Sequence, residues 1–312
     1  MGQRVLWQMD HYRGGHGALN CPLLMRLDGA LELDALQAAV DRLAARHESL
    51  RTTFAGRGPR LRQLVHDVAP PLPLELVELP EASVQAAIDA EVQTRCDPAQ
   101  RPVRVTLWRL AAERHVLCVN MHHLVTDGWS TAVVADELGR LYAHERASGP
   151  ALEPPGWQYA EWAAWHRAAL EGDNLRRLRD YWRARLDGAS MPALPRRASD
   201  VGLLERRTGV ERATIAADAV DRLNVLARRR KTALFSLMLA VLYAALQEDA
   251  GGADPTVASI FANRGRREAR STVGFLSNMV VLRGRAREHA PLVELMAAAD
   301  DAVIGAFAHQ EL

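Results

Sequence analysis

The stretch 116–120, Val-Leu-Cys-Val-Asn, is apolar almost throughout and leads directly into two adjacent histidines, His122 and His123. A strand that is apolar on both faces is a central strand, so the chain must supply strands beside it and helices over it. Upstream, Val103, Val105 and Leu107 alternate, which predicts a half-buried strand over 103–110. Strand composition also marks 22–27, and 50–54 with 61–65 read as a strand pair around Gly56-Arg57-Gly58-Pro59. Pro70, Pro71 and Pro73 lead into another short strand. Leu33, Leu36, Val40 and Leu43 fall at helical spacing, with Asp34 helping to start that helix. Further helices are expected over 82–94, 129–145, 159–170 and 175–186.

The segment 188–208 changes character, with Pro192, Pro195 and many arginines, and reads as a linker. Beyond it the pattern predicts strands near 210–215, 256–261 and 279–283, helices over 219–227 and 234–246, and a last helix after Pro291. Both halves therefore mix strands and helices, giving an α/β class chain, each half an α+β sandwich of sheet and helices. The expected division is a first lobe at 1–187, a linker at 188–208 and a second lobe at 209–312.

Composition narrows the function class. Thirty-nine basic side chains balance 38 acidic ones, so neither nucleic acid nor an anionic membrane is an expected partner. The apolar run 234–246 is shorter than the roughly 20 residues a membrane span needs. No apolar run follows a basic start at the N-terminus, which does not read as a signal peptide. Cys21, Cys96 and Cys118 are odd in number and widely spaced, with no CxxC, so a disulfide framework is not expected and a cytoplasmic location fits. Lys231 is the only lysine and ends a basic run after Arg228, Arg229 and Arg230, which all but excludes a Schiff-base mechanism.

The chemistry concentrates in Val119-Asn120-Met121-His122-His123-Leu124-Val125-Thr126-Asp127-Gly128-Trp129-Ser130. Adjacent residues on extended chain point to opposite sides, so one histidine can face a cavity while the other ties the loop down. Imidazole titrates near neutrality and suits proton transfer from an amine or hydroxyl. Asp127 can shape the loop, Gly128 permits a bend, and the following helix offers N–H groups to an oxyanion. His and Asp are also metal ligands, but no third ligand stands at HExxH-like spacing, and no GxGxxG or P-loop occurs. Composition and spacing alone thus reach a loop with a candidate base and no metal site.

This stretch matches HHxxxDG and resembles the signature of condensation domains of nonribosomal peptide synthetases and the wider chloramphenicol acetyltransferase-like acyltransferases. Other matches follow in that family's order. Gln3-Arg4-Val5-Leu6-Trp7 resembles its opening motif, and Arg46-His47-Glu48-Ser49-Leu50-Arg51-Thr52-Thr53-Phe54 its RHExLRTxF. Tyr181-Trp182, Phe261-Ala262-Asn263-Arg264, Val273-Gly274-Phe275-Leu276-Ser277-Asn278 and His309-Gln310-Glu311-Leu312 resemble later elements, with Leu276 and Ser277 where Phe and Val are usual.

The resemblance implies two chloramphenicol acetyltransferase-like lobes in a V, with the motif loop at their junction and tunnels from both faces. It implies an acyltransferase of peptide antibiotic and other secondary-metabolite assembly. A donor acyl or peptidyl thioester and an aminoacyl acceptor arrive on phosphopantetheine arms of donor and acceptor carrier proteins, and an amide forms. No cofactor is bound by the domain itself, and an adenylation domain is an expected neighbour. His123 is then the catalytic histidine, either taking the proton from the amine or positioning the amine and stabilising the tetrahedral intermediate, and His122 a structural one. Asp127 pairs with an arginine, for which Arg264 is the candidate, as a bridge across the two lobes; Gly128 keeps the approach to His123 open. Trp129, Ser130 and Asn278 are candidate substrate-channel residues. Trp7, Trp129 and Trp182 also read as packing residues, and Arg46, His47, Glu48 and Arg51 as a polar network fixing helix to strand.

Condensation domains usually run to about 450 residues, so the chain reads as C-terminally truncated within its HQxxPFE-like motif, with the second lobe incomplete. The intact histidines argue against a cyclisation domain, where aspartates replace them. Two alternatives stand beside amide formation: a free-standing acyltransferase with a different acceptor, such as an alcohol, and a non-catalytic remnant that docks carrier proteins.

Overall fold

The computed structural model describes residues 2–12, 17–56, 58–146, 149–189, 212–250 and 254–312. Contacts group the chain into two units, Met1–Ala168 with Ala262–Ser277, and Ala169–Phe261 with Asn278–Leu312.

The first unit opens with helix α1 (Gly2–Tyr12), followed by β1 (Asn20–Asp28), α2 (Leu33–Arg46), β2 (Thr52–Ala55), β3 (Arg62–Val65), β4 (Leu74–Glu78), α3 (Val84–Gln93), β5 (Val103–Ala111), β6 (Arg114–His122), α4 (Gly128–Glu145) and α5 (Tyr159–Ala169). The main sheet has the order β1-β6-β5-β4, so β6 lies between two antiparallel neighbours, as its continuous apolar run demands. On one face of β6, Leu117, Val119 and Met121 enter the core with Leu36, Val40 and Leu43 of α2 and Val134 and Leu138 of α4. The α2 residues recur at the three- and four-residue spacing that makes one helical stripe. On the other face, Cys118, Asn120 and His122 are buried as well, and the Asn120 amide donates to the Glu91 carbonyl of α3 at 3.0 Å. β5 is more enclosed than its alternation suggested: Thr106 and Trp108 are buried along with Val103, Val105 and Leu107. β2 and β3 form a separate antiparallel pair, with Gly56 at φ +94° in the connection, a backbone that favours glycine.

Arg46 and His47 converge on Glu137 of α4 and not on a strand. Arg46 Nε lies 2.7 Å and His47 Nε2 2.6 Å from Glu137 Oε2. Burial alone would raise the Glu137 carboxyl, but the His47 and Arg46 hydrogen bonds overcome it and hold it below its ordinary value. Arg51 instead donates to the His66 carbonyl beside β3.

The second unit contains α6 (Gly172–Leu186), α7 (Ala217–Arg230), α8 (Leu234–Ala250), β7 (Thr256–Phe261), β8 (Asn278–Arg283) and α9 (Leu292–Ala308). β7 and β8 pair antiparallel. Leu237, Ala240 and Tyr243 of α8 pack with Leu295, Ala299 and Ala302 of α9.

This grouping differs from the expected boundaries. α6 belongs with the second unit because Trp182 packs on that core and its indole N–H donates to the His309 carbonyl at 2.9 Å. The segment Ala262–Ser277 returns to the first unit, held there by hydrogen bonds to Asp127 and Ser130. The expected linker 188–208 lies outside the described residues from 190 onward, as do residues 210 and 211 of the expected strand near 210–215; residues 212–216 form no strand. No helix among the described residues is long and apolar enough to cross a membrane.

Candidate active site

β6 delivers the histidines through its two-residue alternation. Met121 points into the core, His122 to the opposite face, and the chain then leaves the strand. The His123 N–H donates to the Leu19 carbonyl at 2.8 Å, and the Val125 N–H to the His122 carbonyl at 2.9 Å, so the turn is pinned on both sides. From Met121 through Asp127, His123 alone is not buried. Its Nδ1 lies 2.8 Å from the Thr126 carbonyl oxygen. A carbonyl only accepts, so Nδ1 carries the proton and Nε2 of the neutral ring holds the basic lone pair. The imidazole also stands edge-on to Phe275, with ring centroids 5.0 Å apart at 83°.

His122 is 1 % exposed. Its Nδ1 accepts the Leu124 N–H at 3.1 Å, and its Nε2 faces Asp10 Oδ1 at 3.5 Å. Burial lowers the ring's pKa more than Asp10 raises it. The ring is therefore neutral with its proton on Nε2.

Asp127 is fully buried and caps α4, its Oδ1 accepting the Ser130 N–H at 2.8 Å. Arg264 meets both carboxylate oxygens, Nη1 to Oδ2 at 2.9 Å and Nη2 to Oδ1 at 3.0 Å. Oδ2 also accepts the Leu276 and Ser277 N–H groups at 3.0 and 3.1 Å. Burial alone would raise this carboxyl; the Arg264 charge and hydrogen bonds, with those from Ser130, hold it below its ordinary value. The Asp127–Arg264 pair lies within the first unit, whereas the expected bridge spanned two lobes. Asn263 sits at φ +52°, the left-handed region that Asn tolerates better than most residues, and turns the chain just before Arg264.

Ser130 is fully buried, contrary to the channel role expected of it. Its hydroxyl lies 2.8 Å from Asp127 Oδ1 and 2.9 Å from the Gly274 carbonyl, and it accepts from Arg264 Nη2 at 2.9 Å and the Gly274 N–H at 3.1 Å. Gly274, at φ +155°, passes over the Tyr159 ring so closely that a Cβ would fall 2.2 Å from Cδ2. Trp129 is 46 % exposed and not packed inward as a core residue. Its indole N–H donates to the Arg270 carbonyl at 2.9 Å, and the Arg264 guanidinium lies 5.8 Å from its ring centroid. Asn278 belongs to the second unit, where its amide donates to the Gln310 carbonyl at 2.8 Å.

The start of α4 bears on two expectations. The Asp127 carboxylate takes the Ser130 N–H, so that one donor is not offered to an oxyanion. Gly128 was to permit a bend, yet its φ is not positive and a Cβ there would meet nothing within 4 Å. Gly128→Ala should accordingly leave the thermal unfolding midpoint unchanged or slightly raised, as a melting curve would read. A marked drop would mean that the backbone does need glycine there.

Asp10 on α1 and the Thr126 carbonyl carried no signal as site groups, and Gln3 and Phe275 fell within resembling motifs without a role being assigned to them. Among the described residues, no three His, Cys, Asp or Glu side chains converge as a metal ligand set. A cavity of about 390 Å³ does exist, lined by Arg26, Leu27, Leu138, Tyr142 and Arg146 among others. It sits at the far end of β1, where Arg26 pairs with Val116, while His122 pairs with Asn20 at the near end.

A family model described as "Condensation domain" matches residues 1–312. Cyclosporin synthetase of Tolypocladium inflatum is 32% identical over 317 residues, covering 99% of this chain and 2% of that protein. This chain thus spans a small fraction of the length of that synthetase. The X-domain solved in complex with OxyB from teicoplanin biosynthesis superposes with a TM-score of 0.86 at 25% identity, over 99% of this chain and 70% of that one. The first condensation domain of the CDA synthetase superposes at 0.82 with 20% identity, over 99% and 75%. The mixed α/β fold is the chloramphenicol acetyltransferase-like fold of these domains.

Proposed function

We propose, from the premise that this chain belongs to the condensation-domain family, that it joins a carrier-bound donor acyl or peptidyl thioester to the amine of a carrier-bound aminoacyl acceptor. The observation that carries this reading is the state of His123. Its Nδ1–H is committed to the Thr126 carbonyl, so Nε2 is the basic nitrogen available from an otherwise buried loop. As the amine nitrogen attacks the thioester carbonyl carbon, Nε2 accepts the proton the amine gives up. The tetrahedral intermediate collapses with cleavage of the C–S bond. The proton passes from Nε2 to the leaving thiolate, and the products are an amide and the free thiol of the donor's phosphopantetheine arm.

Asp127 takes no part in this proton transfer. Both its oxygens are occupied, and its work is to hold Arg264, the start of α4 and the 276–277 backbone together. His122 anchors the loop from the opposite face. The partners are the donor and acceptor carrier proteins, with an adenylation domain as a neighbour in the synthetase. Cys21, Cys96 and Cys118 are free thiols, which supports a cytoplasmic setting.

A second reading draws on the X-domain solved in complex with OxyB: docking of another protein in place of catalysis. One experiment separates them. The chain is given a donor thioester on one carrier and, on another, either an aminoacyl or a hydroxyacyl acceptor. The expected product is the amide, with release of donor thiol. Ester alone would assign a different acyltransfer, and no product with measurable carrier binding would favour docking.

A further inference from the structure

Helix α1 lies outside the motif loop in sequence yet reaches it directly at two points and through Phe275 at a third. Asp10 Oδ1 faces His122 Nε2 at 3.5 Å. Gln3 Nε2 donates to the Leu124 carbonyl at 2.7 Å. Gly2 lies against Phe275, where an added Cβ would fall 2.6 Å from Cε1, and Phe275 stands edge-on to His123. Gln3, Leu6 and Asp10 recur at three- and four-residue spacing, so they share one face of α1, and Leu6 enters the first unit's core.

The chemistry of Asp10 gives this face a direction. The side chain is buried, and a buried carboxylate needs partners. Arg95 takes Oδ2 at 2.7 Å. Oδ1 is left facing the Nε2–H of His122, whose Nδ1 in turn accepts the Leu124 N–H at 3.1 Å. His123 therefore sits between two residues that α1 restrains: His122 through Asp10, and Leu124 through Gln3.

We propose that Asp10 is a positioning residue for the reaction, fixing together with the Leu124 N–H the ring proton of His122 on Nε2 and thereby the placement of His123, with Gln3 as the second restraint. The proposal rests on the reading of His123 as the reacting base. Asp10 touches no substrate and acts only through His122.

The test uses the full chain with ¹⁵N-labelled histidines, in wild type, Asp10→Ala, Asp10→Asn and Gln3→Ala. Long-range ¹H–¹⁵N spectra read the tautomers of His122 and His123, and the amide-forming assay reads kcat and KM. Wild type should show His122 as the Nε2–H form and His123 as the Nδ1–H form. In Asp10→Ala both signals should become mixed, and kcat should fall roughly 10²-fold at unchanged KM, the scale of a misplacement of about 1 Å. Asp10→Asn keeps an oxygen facing Nε2–H and should retain most of kcat. Gln3→Ala should perturb His123 with a smaller fall, about tenfold.

Wild-type tautomers and wild-type kcat in Asp10→Ala would overturn the proposal. If that variant does not fold, unaltered His123 signals in Gln3→Ala together with an equally inactive Asp10→Asn would overturn it. The spectra need no turnover. A wild-type chain that makes no amide therefore defeats the reading of function, while the tautomers still judge the role of Asp10.

Discussion

Arg264→Ala should destabilise the first unit by about 3–5 kcal/mol, the usual penalty for stripping one partner from a buried ion pair. The substitution leaves the Asp127 carboxylate fully buried without its countercharge. It also removes the guanidinium bonds to the Ala262 and Thr272 carbonyls and to the Ser130 hydroxyl. At about 2–4 °C per kcal/mol for a domain of this size, the melting midpoint should fall by about 10 °C. Arg264→Lys should rescue little, because one ammonium cannot span both oxygens of Asp127 as the guanidinium fork does. In a double-mutant cycle, Asp127→Ala added to Arg264→Ala should cost far less than Asp127→Ala alone. Urea unfolding of the four proteins would check this, and a loss under about 1 kcal/mol for Arg264→Ala would remove the pair as the tie between the motif loop and the 262–277 segment.

His123→Ala should lower single-turnover amide formation by about 10²–10⁴-fold, the range for removing a positioned general acid–base group. Stability should change by only about 1 kcal/mol, because the side chain is half-buried and its hydrogen bond to the Thr126 carbonyl is replaceable by water. His122→Ala should behave differently. That ring is buried between Asp10 and the Leu124 N–H, so its removal should lower stability together with rate. The contrast between adjacent histidines follows from strand alternation, which sends one ring inward and leaves the other at the surface of the loop.

Much of this was legible in the chain's own pattern. The apolar run of β6 marked the sheet's centre, and the strand expected over 256–261 matches β7 residue for residue. The Asp127–Arg264 pairing was legible only through the ordered motif resemblance, since 137 residues separate the partners. Other parts left no local trace. α1 was not anticipated as a helix, because its inward face pairs Leu6 with a charged residue, Asp10, and so breaks the apolar stripe. Ser130 was a channel candidate only through the resemblance; its burial depends on Gly274 and Arg264, both distant in sequence. The return of 262–277 to the first unit is likewise a matter of long-range hydrogen bonds.

The central claim is that His123 Nε2 handles the proton of amide formation, and the most direct measurement is a quenched single-turnover time course. Wild type and His123→Ala are run side by side, with donor and acceptor thioesters preloaded on carrier proteins and both enzymes matched in folding by circular dichroism. The predicted result is amide from wild type and a rate constant at least 10²-fold lower for His123→Ala at saturating carriers. Equal rate constants for the two proteins would contradict it and remove His123 from the chemistry.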